Sequence, residues 1–297
     1  MDKKMDPRVA KTIRDIKVLR IQSSHGIARA GLDALKTAAE HSKAKERKEL
    51  LEEMREIGQK IKEARPTEIE LGSLINLALF KISENDTKDA HKLKEFSIRV
   101  CDQQIRENEE AMSRLVRNGA LHVQNGDRIL THCHSRTVVA ILREARKQGK
   151  DFTVFVTETR PLKQGLVTAQ DLLASGIRVV YGVDSDMGFL MKKSTKVLVG
   201  CDAILPDGSI VNKIGTLPMA IVAKAFGKPL LVAGLTSKLT HKVEIEERDP
   251  REVEDPQKIK GARIVNPAFD ITPSDYVDVL ITEKGDVDPK NVFEMMR

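Results

Sequence analysis

The chain has 297 residues, with 50 Lys and Arg against 44 Asp and Glu for a net charge of +6, aromatic residues at 3% with no Trp, and three Cys. That length accommodates two ordinary domains, and no apolar run reaches the roughly 18 residues that a membrane span requires. Basic and acidic side chains are interleaved and stacking rings are scarce, so direct nucleic-acid binding is not expected.

The start, Met1-Asp2-Lys3-Lys4-Met5-Asp6, lacks an apolar signal core, so export is not expected. Cys101, Cys133 and Cys201 form no disulfide framework and no Cys-x-x-Cys spacing. A reducing, cytoplasmic setting is the expectation.

From Asp6 to Gly119 apolar residues recur at three- and four-residue spacing, as in Ile13, Ile16, Val18 and Leu19, then Leu50, Leu51, Met54, Ile57 and Ile61. This is the period of amphipathic helices. Pro66 breaks one helix, and Thr67 with Glu70 has capping-box spacing for the next, running towards Lys81. Asp86-Thr87-Lys88-Asp89 is a polar connector before a long helix that reaches Arg117 and ends at Asn118-Gly119. Residues 1–119 are therefore expected to form a helical N-terminal domain.

Beyond residue 120 the pattern changes to strand and helix in series. Apolar runs at Arg128 to Leu130, Phe152 to Val156, Ile177 to Val183, Val197 to Val199 and Pro229 to Val232 alternate with helical stretches. Those stretches are Arg136 to Lys147, Thr168 to Ala174, Met187 to Lys192 and Pro218 to Phe226, with Gly149, Gly176 and Gly227 placed as C-caps. The expectation for residues 120–297 is a Rossmann-like, mainly parallel α/β domain, less regular from Leu235 to Asp275.

Polar residues follow the first four of these strands. They are Cys133-His134-Ser135, Thr157 to Pro161, Asp184-Ser185 and Cys201-Asp202, with Asn212-Lys213 behind a further apolar run. All are expected at one carboxyl edge, where open α/β sheets bind ligands. Ser135 is placed to cap the helix from Arg136, whose N-terminal amides suit a phosphate, and Arg160 could clamp that phosphate. Taken singly, Cys133 reads first as a small buried residue and Asp202 as a turn or cap residue, and Lys213 could be a surface lysine. His132 and His134 alternate about Cys133 and are expected to face one side, but no third ligand follows, so no metal is expected.

Five blocks together carry a resemblance: Thr131-His132-Cys133-His134-Ser135, Thr157 to Pro161 through Gln164-Gly165, Gly200 to Ala203, Asn212 to Thr216, and Asn266 to Pro273. They resemble the signature blocks of the translation initiation factor 2B α/β/δ family, which also contains methylthioribose-1-phosphate isomerase and archaeal ribose-1,5-bisphosphate isomerase. Arg65-Pro66-Thr67 resembles a further family element. The resemblance implies Cys133 and Asp202 as a catalytic pair that opens an aldose 1-phosphate to a ketose 1-phosphate with no cofactor. It also implies substrate binding through Arg65, Ser135, Arg160, Gln164, Asn212 and Lys213.

Where the isomerases have an Arg-Gly-Ala type loop, this chain reads Ile21-Gln22-Ser23-Ser24-His25-Gly26. Gln22 in place of arginine removes a charge-assisted phosphate contact of about 1.5 to 3 kcal/mol. The expectation is accordingly an archaeal initiation factor 2B-like regulatory subunit of the guanine-nucleotide-exchange-factor type, retaining a pocket for a phosphorylated sugar or a nucleotide. Its partners would be archaeal initiation factor 2 and further copies of itself, as a dimer or higher. The alternative is a working sugar-phosphate isomerase.

Overall fold

The computed structural model describes residues 5–18, 20–21 and 23–296. They form two compact units that divide between Glu110 and Ala111.

The first unit is helical: α1 (Pro7–Lys17), α2 (Ser24–His41), α3 (Arg47–Glu63), α4 (Ile69–Ser83) and the start of α5 (Ala90–Leu121). Asp6 caps α1, its carboxylate accepting from the Arg8 amide at 2.8 Å, with Pro7 in the first turn, where a missing N–H costs nothing. The expected apolar positions Ile16, Leu50, Met54 and Ile61 join Leu32, Leu35, Leu71 and Ile75 in one core. Two expectations need correction. Helix α4 begins after Glu68, and Glu70 is fully buried, accepting from Ser24 Oγ at 3.1 Å and Asn108 Nδ2 at 3.0 Å. Helix α5 runs through Asn118 and Gly119 to Leu121.

In the second unit, β1 (Arg128–Thr131), β2 (Thr153–Thr157), β3 (Arg178–Gly182), β4 (Lys196–Gly200), β7 (Leu230–Ala233) and β9 (Val279–Thr282) form a parallel sheet, with β10 (Gly285–Val287) antiparallel on one edge. The order is β10-β9-β7-β4-β1-β2-β3. Helices α6 (Arg136–Lys147), α7 (Gln164–Leu173), α8 (Met187–Lys193) and α9 (Thr216–Ala225) alternate with these strands. Two apolar clusters, one with Ile129, Val154 and Ile141 and one with Leu130, Val197 and Met219, take up alternate residues of the same strands. Burial on both faces is why β1, β2, β4 and β7 read as continuous apolar runs, whereas the edge strand β3 is largely exposed. Gly149, Gly176 and Gly227 all hold the positive φ of a helix C-cap.

A second, antiparallel sheet of β5 (Ala203–Ile204), β6 (Ile210–Lys213) and β8 (Phe269–Thr272) was not anticipated. It corrects the expected common edge: Asn212 and Lys213 lie on this small sheet, not behind a strand of the large one. Helix α7 also starts four residues early, because the chain leaves Pro161 through a left-handed Lys163, φ 54°, and enters the helix at Gln164.

Gly165 lies in the first turn of α7, where a Cβ would come 1.8 Å from the Thr157 carbonyl oxygen, whereas a Cβ on Gly176, at φ +69°, would meet open space. Backbone cannot yield as a side chain can, so Gly165→Ala should cost about 3 kcal/mol despite the better helix propensity of Ala. Gly176→Ala should cost about 1 kcal/mol from its left-handed backbone alone. Urea unfolding of the two variants measures the order.

Candidate active site

After Thr131 the chain leaves β1 and turns sharply. Cys133 adopts φ 68° and donates its amide to Thr159 Oγ1 at 2.8 Å, while its carbonyl accepts from Thr168 Oγ1 at 2.8 Å. Thr159 is itself left-handed, φ 59°, and the Asp184 carboxylate accepts its amide at 2.9 Å and that of Arg160 at 2.7 Å. The ends of β1, β2 and β3 are thus laced together, and the Cys133 thiol reaches Gln164 Oε1 at 3.7 Å. Ser135 caps α6 as expected, accepting from the Val138 amide at 3.3 Å. Gly200, at the end of β4, makes room for that cap, since a Cβ there would lie 2.5 Å from Ser135 Oγ.

Asp202 follows β4, half-buried, with its amide on the Val211 carbonyl of β6 at 2.8 Å. Asn212 is buried and donates to Thr216 Oγ1 at 2.9 Å; the Lys213 ammonium lies 5.1 Å from the Phe269 ring centre. These groups share one electrostatic neighbourhood. Burial pushes the Cys133 thiol up to about 11; the Lys213 charge pulls it down, and the Asp202 carboxylate pushes it further up. A thiol in that state is protonated at neutral pH.

His132 and His134 do not face one side, contrary to expectation, because Cys133 turns the backbone between them. The His132 ring is buried between Thr157 Oγ1, 2.6 Å, and the Ile214 carbonyl, 2.8 Å; His134 sits against Thr168 Oγ1 at 3.1 Å. Among the described residues no group of three or more His, Cys, Asp or Glu is placed to hold a metal. Arg160 is exposed and donates to the Val253 carbonyl at 2.9 Å. Arg65 lies in the helical unit, 3.7 Å from Glu68, and Gln22 lies outside the described residues.

Sequence reasoning missed Lys238. It is a buried lysine donating to the Cys201 carbonyl at 2.7 Å, one peptide from Asp202. The signal was faint: a single lysine among Thr and Ser, in a stretch read as irregular.

The family model described as "Initiation factor 2 subunit family" matches residues 20–289. The chain belongs to that family. The ribose 1,5-bisphosphate isomerase of Pyrococcus furiosus is 38% identical over 294 residues, covering 95% of this chain and 91% of the relative. The methylthioribose-1-phosphate isomerase of Pelotomaculum thermopropionicum is 32% identical over 92% of this chain and 81% of its own length. Among solved structures, the Pyrococcus horikoshii OT3 translation initiation factor eIF-2B superposes with a TM-score of 0.83 at 31% identity, covering 96% of this chain and 98% of that one. The helical region, the mainly parallel sheet and the family membership expected from the sequence all stand. The isomerase alternative gains more from these relatives than the regulatory-subunit expectation does.

The opposing effects of Asp202 and Lys213 on the thiol can be tested by alkylation. Asp202→Asn should lower the Cys133 pKa and speed reaction with iodoacetamide at mildly alkaline pH, and Lys213→Met should slow it. In the unaltered protein the rate should climb about tenfold per pH unit through the alkaline range with no plateau near neutrality.

Proposed function

We propose that this protein is a sugar-phosphate aldose–ketose isomerase acting on ribose 1,5-bisphosphate. The observation that carries the reading is the pairing of a partly buried, protonated thiol with a carboxylate that acts on it, at the strand ends of a family member. In a ring-closed aldose 1-phosphate the phosphoester blocks ordinary ring opening. The ring oxygen must gain a proton, the bond from C1 to that oxygen must break, and hydrogen must pass from C2 to C1. With the thiol protonated and Asp202 present as carboxylate, the resting site holds one proton donor and one acceptor, which is what the exchange needs. No metal is required for any of these steps.

The remaining residues would bind and orient. Asn212 and Lys213 would face the sugar hydroxyls, and Gln164, whose Oε1 accepts from the thiol, would orient the S–H. The twelve-residue helix α6, with Ser135 at its N-cap, offers amides to one phosphate. Lys238 and Arg160 offer charge to the ligand. The reading replaces the regulatory-subunit expectation, which rested mainly on the Gln22 loop, whereas a relative 38% identical and matched over 91% of its length carries the isomerase name. A homodimer or larger assembly in the cytoplasm belongs to the same reading; a monomer mass by light scattering would count against the assembly.

Purified protein should convert ribose 1,5-bisphosphate in preference to methylthioribose 1-phosphate. Cys133→Ser and Asp202→Asn should each lower kcat at least about 100-fold while calorimetry still detects substrate binding. Arg160→Ala should weaken binding about tenfold with kcat little changed. Turnover that survives both pair substitutions would move the chemistry to other residues. Binding without turnover in the unaltered protein, together with salt-sensitive binding to archaeal initiation factor 2, would restore the regulatory reading.

A further inference from the structure

His132 touches neither of the groups assigned to the chemistry, yet it is 2% exposed and joins two separately folded pieces of the site. Its Nε2 faces the Ile214 carbonyl at 2.8 Å, and a carbonyl only accepts, so Nε2 carries the hydrogen. Its Nδ1 faces the buried Thr157 hydroxyl at 2.6 Å and, in the neutral ring, accepts from it; the Thr159 hydroxyl, at 3.4 Å, is the more distant neighbour of the same nitrogen. Burial holds the His132 pKa below its ordinary value, with the Lys213 charge acting in the same direction; the Ile214 carbonyl and Asp184, 3.9 Å away, act against them. The ring is therefore neutral at physiological pH, in a single tautomer fixed by its two partners.

The backbone around the ring is built to its shape. Gly215 holds φ 103°, and a Cβ there would fall 2.7 Å from His132 Nε2. On its far side the Lys213–Gly215 turn is fastened to β8: Ile214 N donates to Ala268 O at 3.0 Å and Gly215 N to Asp270 Oδ2 at 2.7 Å. The ring is thus the strut between two segments. One carries Cys133, immediately after it in sequence. The other carries Asn212 and Lys213, immediately before the carbonyl it holds.

We propose that His132 is a positioning residue: as a neutral strut it fixes the Cys133 turn of the large sheet against the Asn212–Lys213 end of the small sheet. The proposal rests on the isomerase reading for its effect on turnover, but the strut itself is a property of the pocket. Displacing a reacting group by about 1 Å can cost about 100-fold in rate, without a comparable loss in affinity.

The test combines steady-state kinetics on ribose 1,5-bisphosphate, iodoacetamide alkylation of Cys133 and thermal unfolding of the full chain. His132→Phe keeps the ring volume and loses both hydrogen bonds. It should lower kcat about 100-fold, change KM no more than about threefold, and speed Cys133 alkylation at least about fivefold as the turn loosens. His132→Gln, which can still donate to Ile214 O, should recover at least about tenfold of the lost kcat. If His132→Phe does not fold, Thr157→Val, which removes the hydroxyl on Nδ1, supplies the same readouts in the same directions. Kinetics and alkylation within twofold of the unaltered protein in a folded variant would overturn the proposal, as would a loss of stability with no change in kcat or alkylation per folded molecule. If the unaltered protein has no isomerase activity, the isomerase reading fails, and alkylation alone still decides the strut.

Discussion

Two facing strand ends, held in a backbone conformation that neither residue favours, set the geometry of everything at this site. Cys133 and Thr159 are both left-handed and are joined by one hydrogen bond, amide to hydroxyl, at 2.8 Å. A left-handed conformation costs an ordinary residue about 1–2 kcal/mol. One neutral hydrogen bond returns only about 1 kcal/mol, so that bond alone would not hold both turns. The balance comes from Asp184, whose carboxylate takes the Thr159 and Arg160 amides together. Hydrogen bonds to a charged acceptor are worth about 1.5–3 kcal/mol each, enough to fix the β2 turn and let it in turn fix Cys133. The thiol direction therefore depends on a carboxylate after β3.

The frame was legible where one physical signal dominated. Strands β1, β2, β4 and β7 lie between two apolar layers, so nearly every residue had to be apolar, and the runs stood out. Helix α6 was read to the residue because Ser135, an apolar face and a C-terminal glycine all agreed. The small antiparallel sheet escaped because it is assembled from pieces far apart in sequence: β6 pairs with β8 across a stretch that holds α9, β7 and a long irregular segment. Its strand β8, Phe269-Asp270-Ile271-Thr272, alternates apolar and polar over only four residues, and burial does not follow that pattern: Ile271 is exposed, Thr272 is buried and Asp270 serves the turn before α9. The capping box failed for a different reason. Glu70 had the right spacing, but three side-chain groups in the helical unit, Ser24, His25 and Asn108, gather around it.

The candidate residues divide along the same line. Cys133, Ser135 and Asp202 could be placed from the strands and helices that carry them, whereas Gln164 fell before the expected start of α7. The surroundings that give them chemical character could not. Burial of the thiol, the opposing pulls of Lys213 and Asp202, the Lys238 ammonium beside Cys201 and the two hydrogen bonds of His132 are tertiary facts. The regulatory expectation leaned on one missing charge at Gln22. Its weight was too great for a single contact of about 1.5 to 3 kcal/mol, when a site with a helix N-terminus and two further cations can supply comparable interactions elsewhere.

The central claim is that this pocket moves hydrogen between neighbouring carbons of a phosphorylated sugar without cleaving either phosphoester. Carbon and phosphorus NMR of ribose 1,5-bisphosphate labelled at C1 and C2, incubated with the purified protein, tests it at the level of bonds. The account predicts that C1 becomes a methylene bearing phosphate and C2 a ketone, with no inorganic phosphate released. An unchanged acetal carbon, or free phosphate appearing as the label moves, would contradict it.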